Sequence, residues 1–241
     1  MKFLKQPWYR WIWIIILIAM GVIFSTHTAT KFFKQHPIVQ SPSTVVSSEV
    51  VTVNSSSPPP YVTNQEPKYG HFPYAEADGS RLMIIASYAQ QEYQRFEQLD
   101  KEAGLALMKM IYAARDEGVW IVPVSGFRNI TNQELLFKNQ IEKRGSPEAA
   151  AKLSAPPGYS EHHTGYAIDL ADGLSPKKDI TYDFPNTNAY RWLMIHAKEF
   201  GFEMSFPANN SQEVSYEPWH WRFVGSPAAS QTFASAHNLG L

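Results

Sequence analysis

Pro157-Gly158-Tyr159-Ser160-Glu161-His162-His163-Thr164-Gly165-Tyr166-Ala167-Ile168-Asp169 is the stretch from which the rest of the chain can be ordered. It places two adjacent imidazoles on a loop, then a glycine, then a short alternating strand that ends in an acid. Along that strand Tyr166, Ile168 and Leu170 share one face, and Ala167 and Asp169 share the other. Asp169 therefore turns away from the apolar stripe. A histidine on the incoming loop and an aspartate on the outgoing strand can meet at one metal ion, and Gly165 permits the close approach.

Two further segments carry chemistry. Ser125-Gly126-Phe127-Arg128 follows a buried strand expected over Val119–Val124. An arginine at a strand end beside a glycine reads either as a fixed cation for an anionic group or developing oxyanion, or as a surface residue paired with a helix acid. Tyr216-Glu217-Pro218-Trp219-His220-Trp221-Arg222 sets a carboxylate three residues before a histidine, at the mouth of an aromatic strand. Pro218 suits a strand start or edge and breaks the alternation, so Glu217 and His220 can converge. Together the three segments offer three candidate ligands, His162, Asp169 and His220, and one acid not needed as a ligand, Glu217. A catalytic zinc site wants three protein ligands and one open position. A nearby carboxylate can then move the proton of the attacking water. The chain has no cysteine, so thiolate sites and a cysteine nucleophile are excluded, and no serine-based arrangement is as complete.

Outward from these segments, helix is expected from about Arg81 to Glu117, in two pieces if Gly104 interrupts it, with Ala103, Leu107, Ile111 and Ala114 on one face. Thr131 and Glu134 make a capping-box pattern that opens a helix towards Ile141. Ser146-Pro147 starts another short helix. Asn188–Phe200 reads as a helix stopped by Gly201, and Phe202–Phe206 and Trp219–Val224 read as strands. Helices and strands do not alternate regularly, so the expected class is α+β. His71, His196 and His237 have no partner at ligand spacing. Trp192, Trp219 and Trp221 read as core, and Asp172 and Asp183 as solvated loop acids.

The pattern Ser-x-His-x-x-Gly-x-Ala-x-Asp with a downstream Glu-x-x-His resembles the VanY-type D-alanyl-D-alanine carboxypeptidases. Those enzymes belong to the zinc D,D-peptidases that share a fold with hedgehog signalling domains. The match runs through Ser160, His162, Gly165, Ala167, Asp169, Glu217 and His220, and the family's Ser-Gly-Tyr-Arg stands here as Ser125-Gly126-Phe127-Arg128. The resemblance implies a small antiparallel sheet flanked by helices. It implies zinc on His162, Asp169 and His220, Glu217 as the base, and Arg128 polarising the scissile carbonyl. It also implies a substrate-binding role for Ser160, at the terminal carboxylate, and for Gln133, which stands at the expected place on the helix after Arg128. Phe127 replaces the usual tyrosine and loses a hydroxyl; His163 stands where glutamine is frequent.

The implied substrate is a peptidoglycan stem peptide, shortened from its C-terminal end. An endopeptidase or an L,D-carboxypeptidase on the same polymer would use identical zinc chemistry, and a wall-binding module without activity could keep the fold. Glu217 argues against the last, since a binding module has no use for a spare acid beside a full ligand set. Lys and Arg total 21 against 22 Asp and Glu, so no basic field calls for nucleic acid. Lys2, Lys5 and Arg10 precede an apolar run from Trp11 to Phe24. That run reads as a transmembrane anchor within residues 1–34, or else a secretory signal, and either puts the remainder outside the cytoplasm. A signal fits less well, because cleavage after Ala29 would put bulky His27 where a small residue is preferred. Residues 35–67, rich in Ser and Pro, read as a flexible linker, and 68–241 as the peptidase domain, with a monomer as the default state.

Overall fold

The computed structural model describes residues 65–90, 93–178 and 180–238. The anchor expected within residues 1–34, and the linker up to residue 64, lie outside the described residues. Among those described, no helix is long and apolar enough to cross a membrane.

The first departure from expectation comes at once. The region from Leu82 to Asp100 is a β-hairpin, β1 (Leu82–Gln90) against β2 (Tyr93–Asp100), and not helix. Met83 and Ile85 turn inward while Ile84 between them is 54% exposed, which is the alternation of a strand. Helix α1 (Lys101–Asp116) follows without a loop, and the Asp100 side chain caps it by accepting the Glu102 N–H at 3.0 Å. Gly104 does not break this helix. A Cβ there would lie 2.7 Å from Met83 Sδ and 3.2 Å from Ile85 Cγ2, so the glycine lets α1 sit on β1. Ala103, Leu107, Met110 and Ala114 form the buried face, Met110 taking the place expected of half-buried Ile111.

A four-stranded antiparallel sheet follows in the order β3-β4-β6-β5: β3 (Ile121–Ser125), β4 (Ala167–Asp172), β6 (His220–Phe223) and β5 (Phe202–Met204). Helix α1 packs against β3, and α4 (Asn188–His196) against β4. Tyr166, Ile168 and Leu170 join the main apolar core with Leu107, Trp192, Trp221 and Phe233. Burying side chains such as Ile168 and Leu170 completely contributes roughly 1.5–3 kcal/mol each. Ala167 and Asp169 lie outside that core cluster. One face of the sheet is thus spent on the core, and the other is free to build a cleft.

Helices α2 (Ile130–Arg144) and α3 (Pro147–Ala151) form a smaller cluster through Phe137, Ile141, Ala150 and Ala151. The cap of α2 is Asn129, which accepts the Asn132 N–H, two residues ahead of the expected Thr131. Ser146 caps α3 as expected. A 3-10 turn continues α4 to Phe200, where Gly201 ends it in the left-handed conformation. Short helices α5 (Pro227–Thr232) and α6 (Ala234–Asn238) close the described chain, and together the elements make an α+β domain. Asp172 is not a solvated acid. It is 3% exposed and accepts the N–H groups of Leu174 and Ala189, holding the start of α4 to the end of β4, whereas Asp183 is exposed.

Candidate active site

Sheet register does the first part of assembling the site. In β4, Asp169 pairs with Ser125 of β3 on one side and with His220 of β6 on the other. Asp169 therefore has as cross-strand neighbours, each about 5 Å away by strand spacing, two residues that stand ninety-five positions apart in sequence.

A 3-10 turn, Glu161–Thr164, brings in the rest; Ser160 caps it by accepting the His162 N–H. The loop 125–128 is stitched to this turn. Arg128 N donates to His162 O at 3.1 Å, and the His163 Nδ1–H donates to Arg128 O at 2.6 Å. Gly126 O accepts from His162 Nδ1 at 2.8 Å. Only glycine fits at 126, because a Cβ would lie 2.3 Å from Gln98 O.

His162, Asp169 and His220 converge. Each is buried, and one ligand atom from each lies within 4.8 Å of the other two. Asp169 Oδ2 is 3.5 Å from His162 Nε2 and Oδ1 is 3.1 Å from His220 Nδ1. Ligands about 2.0–2.2 Å from a tetrahedral zinc ion stand roughly 3.4 Å from one another. Two imidazoles and one carboxylate at these spacings fit that ion. The ring nitrogens facing inward are His162 Nε2 and His220 Nδ1, since Gly126 O holds the other nitrogen of His162 and Glu161 that of His220.

The charges of the cluster act strongly on one another. Burial alone would raise the Asp169 carboxyl, but the charge and hydrogen bonds of His162 and His220 hold it well below the usual carboxylate range. Burial lowers His162 to about 4, and the Arg128 charge pushes the same way. For His220 burial also works downward, yet hydrogen bonds to Asp169 and Glu161 win and raise it to about 10. A bound cation reverses this logic by displacing the protons.

Glu217 lines the same cavity and is 8% exposed. Among the described residues no donor reaches its carboxylate. Burial, reinforced by the negative charges of Asp169 and Glu161, raises its pKa to about 8. A carboxyl with that history can hold or release a proton near neutral pH. Arg128 is half-buried; its Nη1 donates to Gln133 Oε1 at 2.9 Å and its Nη2 to Ser125 Oγ at 2.8 Å. The Gln133 amide nitrogen donates to Ala155 O at 2.7 Å and Ser154 Oγ at 3.1 Å, so Gln133 aims the arginine while lining the cavity.

All seven residues singled out from the sequence, Arg128, Gln133, Ser160, His162, Asp169, Glu217 and His220, line one cavity of about 170 Å³. A larger hollow of about 440 Å³, between Tyr69, Phe72, Glu148 and Lys152, carries none of them. Trp192 and Trp221 are core as expected, and buried Trp219 also forms part of the cavity wall. His196 pairs with Glu199 and His237 with Glu203, while the Nε2–H of buried His71 donates to Ala151 O and the ring borders the cavity. Sequence reasoning missed Glu161, which is 3% exposed and contacts His220, Arg222 and Ser205. One signal was present: with alternating strand geometry, Arg222 stands two residues from His220 on the same face of β6.

The chain is similar to known proteins over the span that carries the site. The family model for VanY, D-alanyl-D-alanine carboxypeptidase, matches residues 96–226, a span that carries every residue of the proposed site. YodJ of Bacillus subtilis (strain 168) is 37% identical over 131 residues, which is 54% of this chain and 47% of that protein. A D-alanyl-D-alanine carboxypeptidase of Enterococcus faecalis (strain ATCC 700802 / V583) is 32% identical over 57% of this chain and 52% of its own length. The chain spans about half the length of the curated relatives it matches. Among solved structures, the LdcB LD-carboxypeptidase is similar at 32% identity, covering 67% of this chain and 75% of that one, with a TM-score of 0.56. A matched span of more than half the chain, holding the His-Asp-His group that could bind a metal, establishes that the protein belongs to the VanY D-alanyl-D-alanine carboxypeptidase family.

Proposed function

We propose that this protein is a zinc-dependent D-alanyl-D-alanine carboxypeptidase that removes the C-terminal residue of peptidoglycan stem peptides. The observation that carries this reading is Glu217: a buried carboxyl with no hydrogen bond from the described residues, in the same cavity as a His-Asp-His group spaced to hold a metal ion. His162, Asp169 and His220 would hold the ion. Once bound there, the ion would supply a Lewis acid that brings the attacking water towards a pKa of about 7. Glu217 takes a proton from the attacking water on its carboxylate and hands it to the leaving amine nitrogen. Arg128, its two outer nitrogens fixed by Gln133 and Ser125, supports the oxyanion that develops on the scissile carbonyl. Ser160, at the cavity wall, would bind the substrate's terminal carboxylate.

The test is turnover of a purified stem pentapeptide at defined zinc. Glu217→Ala is expected to retain stoichiometric zinc and to lose several orders of magnitude in kcat. Retained turnover at full zinc would remove Glu217 from the mechanism.

A second reading has a specific basis. The LdcB structure, which this chain resembles over three quarters of that protein, is an LD-carboxypeptidase. The ligand set and base would serve either bond, and the cavity walls alone would choose. Mass spectrometry of digested muropeptides separates the cases, since a tetrapeptide shortened by one residue reports the L,D activity and a pentapeptide shortened by one reports the D,D activity. The charged N-terminus and apolar run support an anchor with residues 68–241 as a catalytic domain outside the cytoplasm. Protease shaving of intact cells tests that placement.

A further inference from the structure

Glu161 has no part in the chemistry just described, yet it is among the most committed side chains in the molecule. Its side chain is 2% exposed. Oε1 accepts from Arg222 Nη1 at 2.7 Å. Oε2 accepts from His220 Nε2 at 2.9 Å and from Ser205 Oγ at 2.5 Å. Both oxygens are therefore occupied on the far side of His220 from Asp169, so the carboxylate cannot itself join the metal. Arg222 is fixed in turn: its Nε donates to Glu203 Oε1 at 2.7 Å, and its guanidinium lies 5.1 Å over the Phe233 ring.

We infer that Glu161, clamped by Arg222, is a positioning residue that holds the proton of His220 on Nε2 and so presents Nδ1 as the metal-binding atom. The inference rests on the zinc-peptidase reading of this site. A neutral imidazole has one N–H and one lone pair, and the hydrogen bond at one nitrogen decides which atom is left for a metal. At His162 the partner is a backbone carbonyl, Gly126 O, which can only accept. At His220 it is a side chain, so the choice is open to mutation.

The Glu161→Gln substitution changes what both His220 and Arg222 meet. Glutamine offers one acceptor oxygen where glutamate offers two. If that oxygen faces His220, its NH2 group is driven against the Arg222 guanidinium, donor to donor. If it faces Arg222, the NH2 group meets His220 Nε2 and forces the proton to Nδ1, which removes the lone pair the metal needs. Either arrangement weakens the site without deleting a ligand.

The experiment uses the full chain and zinc as the probe. Zinc affinity is measured by competition with a chromophoric chelator for the natural protein and for Glu161→Gln, alongside circular dichroism of both. The expected result is a folded variant whose zinc affinity is lower by about 10–100-fold. A folded variant with unchanged affinity overturns the inference. Nitrogen NMR of the histidine rings in the zinc-loaded natural protein decides the matter independently should the variant fail to fold. Metal on Nδ1 of His220 with Nε2 protonated is expected, and metal on Nε2 overturns the role of Glu161. A natural protein that binds no zinc would instead sink the metallopeptidase reading, and this inference with it.

Discussion

Glu217 and Arg128 face the same small cavity with opposite requirements. Burial raises Glu217 to about 8, above its ordinary 4.5, so the neutral acid is the form that the metal-free fold tolerates. A group raised in the folded state contributes stability that is fully present below its unfolded pKa and is lost as pH rises through the folded value. The metal-free protein is therefore expected to lose stability between about pH 4.5 and pH 8 on account of this group, by a few kcal/mol at most. Glu217→Gln should remove that slope: the variant unfolds at a higher temperature than the natural protein at pH 8.5, and at nearly the same temperature at pH 4. Zinc stabilises the carboxylate by its charge, so the difference should shrink in the loaded protein. Thermal scans of both proteins across pH, with and without chelator, make the comparison. For Arg128 the expected loss is in the transition state. Arg128→Ala should lower kcat by about 10²–10³-fold with zinc content unchanged, as for other single oxyanion donors. Arg128→Lys should not restore activity fully, because one ammonium cannot occupy both Gln133 Oε1 and Ser125 Oγ while also facing substrate.

At the scale of elements, the convergence of the three segments on one cavity was legible because their spacing carries geometry. A strand that alternates Tyr166, Ile168 and Leu170 against Ala167 and Asp169 can present its acid on only one side, and the structure keeps it there. The hairpin at Leu82–Asp100 was not legible. Its Ala, Glu, Gln and Leu content favours helix, and what overrides that preference is tertiary: β1 pairs with β2 and packs Met83 and Ile85 against Gly104 of α1. Asp172 failed for a related reason: nothing local announces that Ala189, seventeen residues on, will bring a free helix N–H to its carboxylate. Asp172→Ala strands that buried N–H and is expected to cost about 1–3 kcal/mol in denaturant unfolding. Zinc affinity should hardly move, since Asp169 points to the other face of β4. A large fall in affinity would mean that α4 and the metal ligands are coupled through the strand.

At the scale of the whole domain, the apolar core and the metal cluster occupy opposite faces of one sheet. Tyr166, Ile168, Leu170, Trp221 and Phe223 belong to the core, while Asp169, His220 and Glu161 line the cavity. The core cluster is built without His162, Asp169 or His220, unlike small zinc modules whose ligands are their main cross-link and which are unfolded without metal. Chelation is therefore expected to leave the fold intact and abolish turnover, with far-ultraviolet dichroism unchanged. The loss of bound ligand should still register in stability. At a free zinc concentration 100 times the dissociation constant, binding contributes about 2.7 kcal/mol. For a domain of this size that corresponds to about 5–11 °C in Tm, taking roughly 2–4 °C per kcal/mol. Re-addition of zinc should restore both the temperature and the activity. A chelated protein that lost its secondary structure would show instead that the cluster, and not the core, holds the sheet together.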